Sequence, residues 1–548
     1  MAAPSAPPPS SVPHRPGTTL PALLASPDTV AAPRGMATRR RSPAEGPTGA
    51  PSGSPVVIVG AGPAGLTAAR ELLRRGCRPV VLEQDPVYVG GIARTVTYRG
   101  YRFDVGGHRF FSKNAEIEAL WTELLGDDML TCQRLSRIYY RGRYFAYPIQ
   151  ARNALWNLGP VEATRCLASY AAARLRPVPN PRTFAEWVGN QFGKRLFEIF
   201  FKTYTEKVWG MPTDELSADW AAQRIKGLDL STVVRSAFRL PGRRPAGSPV
   251  IKTLIDAFRY PRLGPGQCWE RVASELSAAG LPVRHGHSVS RIHRRGGRVT
   301  AVTATTPDGP VRLEADAVLS TMPLRELVLS MDPPAPVPVE VAARALSYRD
   351  FLTVALVVDR PAVFADNWIY IHEPGVQVGR IQNFKNWSAG MVADPTRSCL
   401  GLEYFCFEGD GLWAMADGDL VALATRELVK LGMCAAADVV DGTVVRQAKA
   451  YPVYDDSYQA HVQTIRDWLA TACPNLAVAG RNGMHKYNNQ DHSMLTALIA
   501  ARNVLGDPPL DPWKVNADAE YHEESRDSDA VVGRLVPPPR ALTPAQPA

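Results

Sequence analysis

The run Pro55-Val56-Val57-Ile58-Val59-Gly60-Ala61-Gly62-Pro63-Ala64-Gly65 decides how the chain begins to fold. Successive β-branched residues make a short buried strand, and the residues from Gly65 to Arg75 follow with helical spacing. A second apolar strand, Pro79–Glu83, completes a strand-helix-strand unit. Each glycine has its own task in such a turn. Gly60 permits the tight reversal, Gly62 lets a ligand diphosphate approach backbone, and Gly65 lets helix pack on strand. The helix opened by Pro63 and Ala64 points its positive end at that diphosphate. Glu83 closes the second strand, where a carboxylate accepts hydrogen bonds from an adenosine ribose and repels a 2′-phosphate.

Gly90, Gly91 and Arg94 extend this site. Close backbone and a guanidinium suit the diphosphate of a long, embedded dinucleotide, which points to FAD rather than NAD. No second strand-glycine-helix motif follows, so no nicotinamide domain is expected. Near the other end, the apolar strand Leu476–Ala479 is closed by Gly480 and Arg481. A helix is expected from about Ser493 to Leu505, capped by Asp491 and aimed with its positive end at the flavin.

Other segments complete the outline. Arg291–Pro323 reads as strands with turns at Arg295-Gly296-Gly297 and Pro307-Asp308-Gly309. Pro181–Trp209 reads as one long helix, with Thr183 and Glu186 as a capping box. Tyr348–Phe407 alternates β-branched and aromatic residues, as an antiparallel sheet forming a wall over the cofactor does. The expected fold class is α/β, a Rossmann-type FAD-binding domain with a helical insertion and an antiparallel-sheet substrate domain. In chain order this gives a Pro/Ala/Ser-rich disordered tail (1–54), an FAD-binding segment (55–130) and a mainly helical substrate domain (131–270). FAD-domain strands (271–330), a sheet-based substrate domain (331–470), a last FAD-domain segment (471–506) and a C-terminal extension (507–548) follow.

Composition limits the partners. Of 548 residues 45% are hydrophobic and 21% charged, so most of the chain can build a core. The net charge of +9 is small for this size and argues weakly for acidic small molecules and not for nucleic acid. The eight cysteines form no C-x-x-C pair and no metal-ligand spacing, so no metal is expected and a cytoplasmic setting is the simplest. No apolar run reaches the roughly 18 residues of a membrane span. The tail carries the basic run Arg39-Arg40-Arg41 but no signal-peptide pattern, and Met36 is an alternative start.

With the start motif, five islands carry a specific likeness. They are Gly107-His108-Arg109-Phe110-Phe111, Tyr204-Thr205-Glu206-Lys207-Val208-Trp209, Gly379-Arg380-Ile381, Glu403-Tyr404, and Gly480-Arg481 through Tyr487-Asn488-Asn489-Gln490-Asp491. The chain from about residue 55 to 506 resembles UDP-galactopyranose mutase, a family within the FAD-dependent amine oxidases and protoporphyrinogen oxidases. That resemblance implies two arginines and two tyrosines gripping a substrate diphosphate, and a further arginine beside the flavin. Arg380 matches one diphosphate arginine and Arg224, more loosely, the other; Tyr404 and Tyr487 match the tyrosines, and Arg481 the flavin-side arginine. Core packing is the plain alternative for Tyr404 and Trp209, and a helix surface for Arg224. His108 matches the first histidine of the family's His-x-x-His over the flavin, but Phe111 stands where the second would be. His108 and Arg481 are thus the expected catalytic residues.

Two activities follow from the resemblance. One is a mutase-like reaction on a nucleotide-activated or otherwise diphosphate-linked sugar, with reduced flavin N5 as nucleophile and no net oxidation. The other is net oxidation of a substrate C–H or C–N bond, which the apolar Phe111 favours. A flavin-bearing protein without catalysis fits less well with a polar constellation drawn from four distant segments.

Overall fold

A computed structural model describes residues 55–516, apart from 148, 150 and 219–256. The expected tail, the extension beyond residue 516 and Arg224 lie outside the described residues.

Four parallel strands form the nucleotide-side sheet, in the order Leu476–Val478, Ala317–Ser320, Val56–Val59, Val80–Leu82. All four residues of Val56–Val59 are buried, as parallel strands covered on both faces must be. Alternate side chains go to different cores. Val56 and Ile58 join Leu66, Leu72, Leu276 and Leu498 under the helices Pro63–Arg74, Gly266–Ala278 and Gln490–Val504. Val57 and Val59 join Leu324, Ala342 and Ile465 on the opposite face. Each such fully buried aliphatic side chain stabilises the fold by roughly 1.5–3 kcal/mol. The strands expected from residue 291 onward appear as Ser288–Arg295, Arg298–Thr306 and Gly309–Glu314, an antiparallel layer beside the parallel sheet.

The second large sheet has seven strands, ordered Val439–Pro452, Tyr348–Val358, Ser398–Cys406, Arg380–Asn383, Trp368–Ile371, Ser136–Tyr140, Arg143–Ala146. It is antiparallel except where Trp368–Ile371 runs parallel to Ser136–Tyr140. The last two strands come from a stretch read as mainly helical.

The long helix expected over Pro181–Trp209 is four shorter pieces. Its start is as expected: the Thr183 side chain accepts from Glu186 N–H at 3.2 Å, and Glu186 Oε2 accepts from Thr183 N–H at 3.2 Å. The helix Phe184–Phe192 then stops at Gly193, whose φ of +81° ends the α-helical path. A short helix Lys194–Phe197, a π turn Glu198–Lys202 and the helix Thr203–Trp209 follow. Apolar spacing continues across the breaks, which is why periodicity alone reads the whole as one helix.

Candidate active site

The glycine loop is held by contacts that explain its composition. A Cβ on Gly65 would lie 1.8 Å from the Gly60 carbonyl oxygen, so no side chain fits there. Gly60 has φ +95° and donates its N–H to Leu82 at 2.8 Å. Gly62 and Gly91 face each other: a Cβ on Gly91 would meet Gly62 Cα at 3.3 Å, and one on Gly62 would meet Gly91 Cα at 3.9 Å. The two glycine segments are tied by Gly90 N–H donating to Ala61 O at 2.8 Å.

The polar groups around this cradle fit a dinucleotide diphosphate. Buried Glu83 accepts from Ala61 N–H at 2.7 Å and Asp85 N–H at 2.9 Å, which leaves its remaining lone pairs for ribose hydroxyls. Burial pushes the Glu83 carboxyl above its usual range, while those two N–H groups pull it back. Arg94 donates to the Gly91 carbonyl at 2.9 Å and to Gln447, and no carboxylate among the described residues lies within ion-pair distance of it. Burial lowers its affinity for the proton. Asp85 and Glu83 oppose that loss from beyond ion-pair distance, and a bound diphosphate would give this half-buried guanidinium a direct charge partner.

The C-terminal helix reaches the same cradle. It begins at Gln490 with Asn489 as its cap, not at Ser493 with Asp491 as its cap. Asp491 instead occupies the first turn, where its charge favours the helix dipole. Gly480 has φ +87°, and a Cβ there would lie 3.0 Å from Ala64 Cβ, so strand end and glycine-loop helix touch. Trp269 was not anticipated from sequence: its Nε1 donates to Gln490 Oε1 at 2.9 Å and its ring backs Gly90.

The substrate side is built on a cross-strand row. Tyr370 pairs with Arg380, Arg380 with Glu403 and Glu403 with Thr353, so these four occupy adjacent strands on one sheet face. Arg380 Nε and Nη2 both reach Glu403 Oε2, at 2.7 and 2.6 Å, and Gln382 Nε2 donates to Glu403 Oε1 at 2.5 Å. Burial opposes the Arg380 charge, but Glu403 and the surrounding phenols more than offset it, and the guanidinium is held firmly protonated.

Aromatic rings enclose this row. Tyr204 lies 5.0 Å from the His372 ring and nearly parallel to it, and edge-on to Tyr370 at 5.4 Å. Burial raises the Tyr204 phenol well above its usual range, with Arg380 partly offsetting. Tyr451 and Tyr487 stack at 5.6 Å and 13°, and the Arg481 guanidinium sits over both rings, at 5.4 and 4.9 Å. Arg481 also donates to the carbonyls of Asn488 (2.8 Å) and Ala450 (3.2 Å) and has no carboxylate within ion-pair distance among the described residues. Tyr451 is raised by burial and feels both Arg380 and Arg481. His108 donates from Nε2 to the Val105 carbonyl at 3.0 Å; burial pushes it down to about 4, and both arginines add to that shift. It is therefore neutral at neutral pH.

The helix carrying Tyr204 is pinned from two sides. Lys207 Nζ donates to the carbonyls of Ile371 (3.2 Å), Glu373 (2.7 Å) and Val378 (3.2 Å), and burial lowers it to about 8. Arg349 caps the far end through the carbonyls of Val208 (3.0 Å) and Lys207 (3.3 Å).

Arg380, Arg481, Tyr487 and His108 are thus brought into one neighbourhood. Tyr404 is not. It is fully buried on the opposite sheet face with Leu400 and Leu402, and its hydroxyl donates to Glu427 at 3.1 Å. Strand alternation is the reason, because Glu403 already faces Arg380. Phe111 is 36% exposed and forms no part of the aromatic wall. Trp209 packs in a core with Phe184 and Phe197. Tyr204, Tyr451, Glu403 and His372 were missed as site residues; the pairing of residues 380 and 403 would have exposed Glu403 at once.

Residues 63–505 match the family described as flavin containing amine oxidoreductase. Among curated relatives, a protein named probable UDP-galactopyranose mutase from Klebsiella pneumoniae is 29% identical over 174 residues, covering 30% of this chain and 43% of that protein. A phytoene dehydrogenase from Streptomyces griseus is 26% identical over 316 residues, covering 53% of this chain and 59% of that one. Both matches thus span less than two thirds of the relatives' own lengths. A crystal structure of reduced UDP-galactopyranose mutase superimposes with a TM-score of 0.71 at 22% identity, covering 85% of this chain and 98% of the other. The match across residues 63–505, on a cradle shaped for a dinucleotide, places the chain in the flavin-containing amine oxidoreductase family as an FAD-dependent enzyme.

Proposed function

We propose that the enzyme acts on a nucleotide-activated or otherwise diphosphate-linked sugar in a mutase-like reaction, with its substrate held between Arg380 and Arg481. The observation that carries this reading is Arg481, a guanidinium laid over Tyr451 and Tyr487 without a carboxylate partner, beside a second, firmly protonated arginine. Such a pair of planar cations suits a diphosphate, which offers each of them oxygens in a fork. FAD, when bound, supplies the redox chemistry or the nucleophile. The chain's own residues bind, orient and shield. Arg380 and Arg481 take the anionic group, and Tyr204 and Tyr451, kept protonated by burial, donate hydroxyl hydrogens toward it. Neutral His108 adds no charge and holds its Nε2 proton on Val105.

One observation favours the rival reading, net oxidation in the manner of an amine oxidase. Glu403 already neutralises Arg380, which leaves a site with fewer uncompensated positive charges than a diphosphate prefers. Turnover on a panel of nucleotide sugars, with oxidised and with pre-reduced enzyme, decides between them. Activity that requires pre-reduction without consuming reductant supports the mutase reading. Stoichiometric consumption of reductant or oxygen, or no affinity for UDP at all, replaces it with the oxidase reading.

A further inference from the structure

The helices Ala151–Leu158 and Pro160–Leu175 form a ridge beside the seven-stranded sheet, and the second buries little of itself, through Ala163 and Cys166. Between residues 156 and 178 five large apolar side chains are exposed: Trp156 (86%), Val161 (67%), Leu167 (42%), Leu175 (82%) and Val178 (43%). Val161, Thr164, Ala168, Ala171, Ala172 and Leu175 are all exposed. On a helix of 3.6 residues per turn they fall within one arc of about 100°. Arg165 borders this stripe on one side and Arg174 on the other. Gly159, with φ +78°, turns the chain between the helices, and exposed Trp156 and Val161 flank that turn.

Charge separates the occupants this face would accept. Residues 141–185 contain seven arginines and a single acidic residue, Glu162. That excess of six is most of the chain's net +9, so the basic residues are less scattered than composition implies. Glu162 is itself engaged, by Arg195 and, at 3.7 Å, by Arg165. A second copy laid face to face would set arginine against arginine, which opposes self-association here. An anionic bilayer matches both halves of the pattern. Apolar and Trp side chains enter the boundary between headgroups and acyl chains, and flanking arginines reach lipid phosphates.

We propose that this ridge docks the enzyme on anionic membrane surfaces, Trp156, Val161 and Leu175 inserting and the flanking arginines pairing with lipid phosphates. The ridge also packs, through Ala154 and Cys166, on Ile199 and Phe200 of the π turn that leads to Tyr204, so docking brings the wall of the substrate site close to the lipid.

The test is flotation of the full-length, flavin-loaded protein with vesicles of phosphatidylcholine alone or with about 30 mol % phosphatidylglycerol. The wild type should float with the anionic vesicles, remain below with the neutral ones, and be released by about 0.5 M salt. The double variant Val161→Glu/Leu175→Glu, and separately Trp156→Ser, should lower bound protein by about tenfold or more while flavin content and thermal midpoint stay at wild-type values. Wild type that ignores anionic vesicles overturns the proposal. So do surface variants that float like wild type, since Arg39-Arg40-Arg41 or another basic stretch is then the anchor. A change in solution mass of the variants, with no change in flotation, assigns the face to a second copy and overturns it as well.

Discussion

Replacing Glu403 by Gln separates charge from hydrogen bonding at the Arg380 site. The Glu403 carboxylate accepts from Arg380 Nε and Nη2 through one oxygen and from Gln382 Nε2 through the other. A glutamine can keep its oxygen toward Arg380 and turn its amide toward Gln382. That requires Gln382 to present an acceptor, and its Oε1 is buried without a hydrogen-bond partner among the described residues, so a flip of its amide restores the contact. What remains changed is the charge. Breaking a buried ion pair costs about 3–5 kcal/mol. Arg380 is 17% exposed and would keep its bonds to the new amide oxygen, so the loss expected here is about 2–3 kcal/mol. The effect on an anionic ligand has the opposite sign. A carboxylate about 6 Å from a phosphate repels it by roughly 3 kcal/mol at an effective dielectric of about 20. Removing it should tighten UDP binding by about tenfold or more after screening. Urea unfolding of the flavin-loaded protein reads the first effect, and UDP titration against flavin fluorescence reads the second. A variant that is less stable and binds UDP more weakly, or no differently, refutes the reasoning that Arg380 contacts the anion.

Gly65→Ala places a Cβ 1.8 Å from the Gly60 carbonyl oxygen, so the loop must open. The expected outcome is loss of bound flavin and roughly 3 kcal/mol or more of stability, read from the visible flavin absorbance per chain; a variant that retains its flavin shows that the loop adapts. Tyr404→Phe leaves Glu427 with its bonds from the N–H groups of Gln377 and Val378 and removes one donor, which should cost about 1 kcal/mol without changing UDP affinity. A loss of UDP binding in that variant would return Tyr404 to the site. Acid should destabilise the fold through His372 and His485, which burial pushes down to about 3 and about 4. Their unfolded forms bind a proton below about 6.5 and their folded forms do not, so stability present above that pH is lost as it falls, by up to about 1.4 kcal/mol per pH unit for each. Equal urea midpoints at pH 7 and pH 5 would contradict this.

Features that depend on a few consecutive residues are legible in the sequence, and features that depend on distant residues meeting are not. The glycine loop is of the first kind. Gly65 must be glycine because Gly60, five residues earlier, occupies its Cβ position, and Ala61 turns its N–H onto Glu83 just beyond the second strand. The Thr183 and Glu186 cap is equally local. The row Tyr370–Arg380–Glu403 is of the second kind, since it exists only once three strands are set in register. A likeness over the pair Glu403-Tyr404 marks the place but not the face, and the pleat then sends one residue to the substrate and the other to the core. Tyr451 shows the same limit. It ends the long strand Val439–Pro452, and only the arrival of Arg481 and Tyr487 from the C-terminal segment gives its ring a task. If register and pleat assign the site in this way, the pair that matters is Arg380 and Glu403. The charge-removing Glu403→Gln and the core-facing Tyr404→Phe, neighbours in sequence, should then move UDP affinity in one case and leave it untouched in the other.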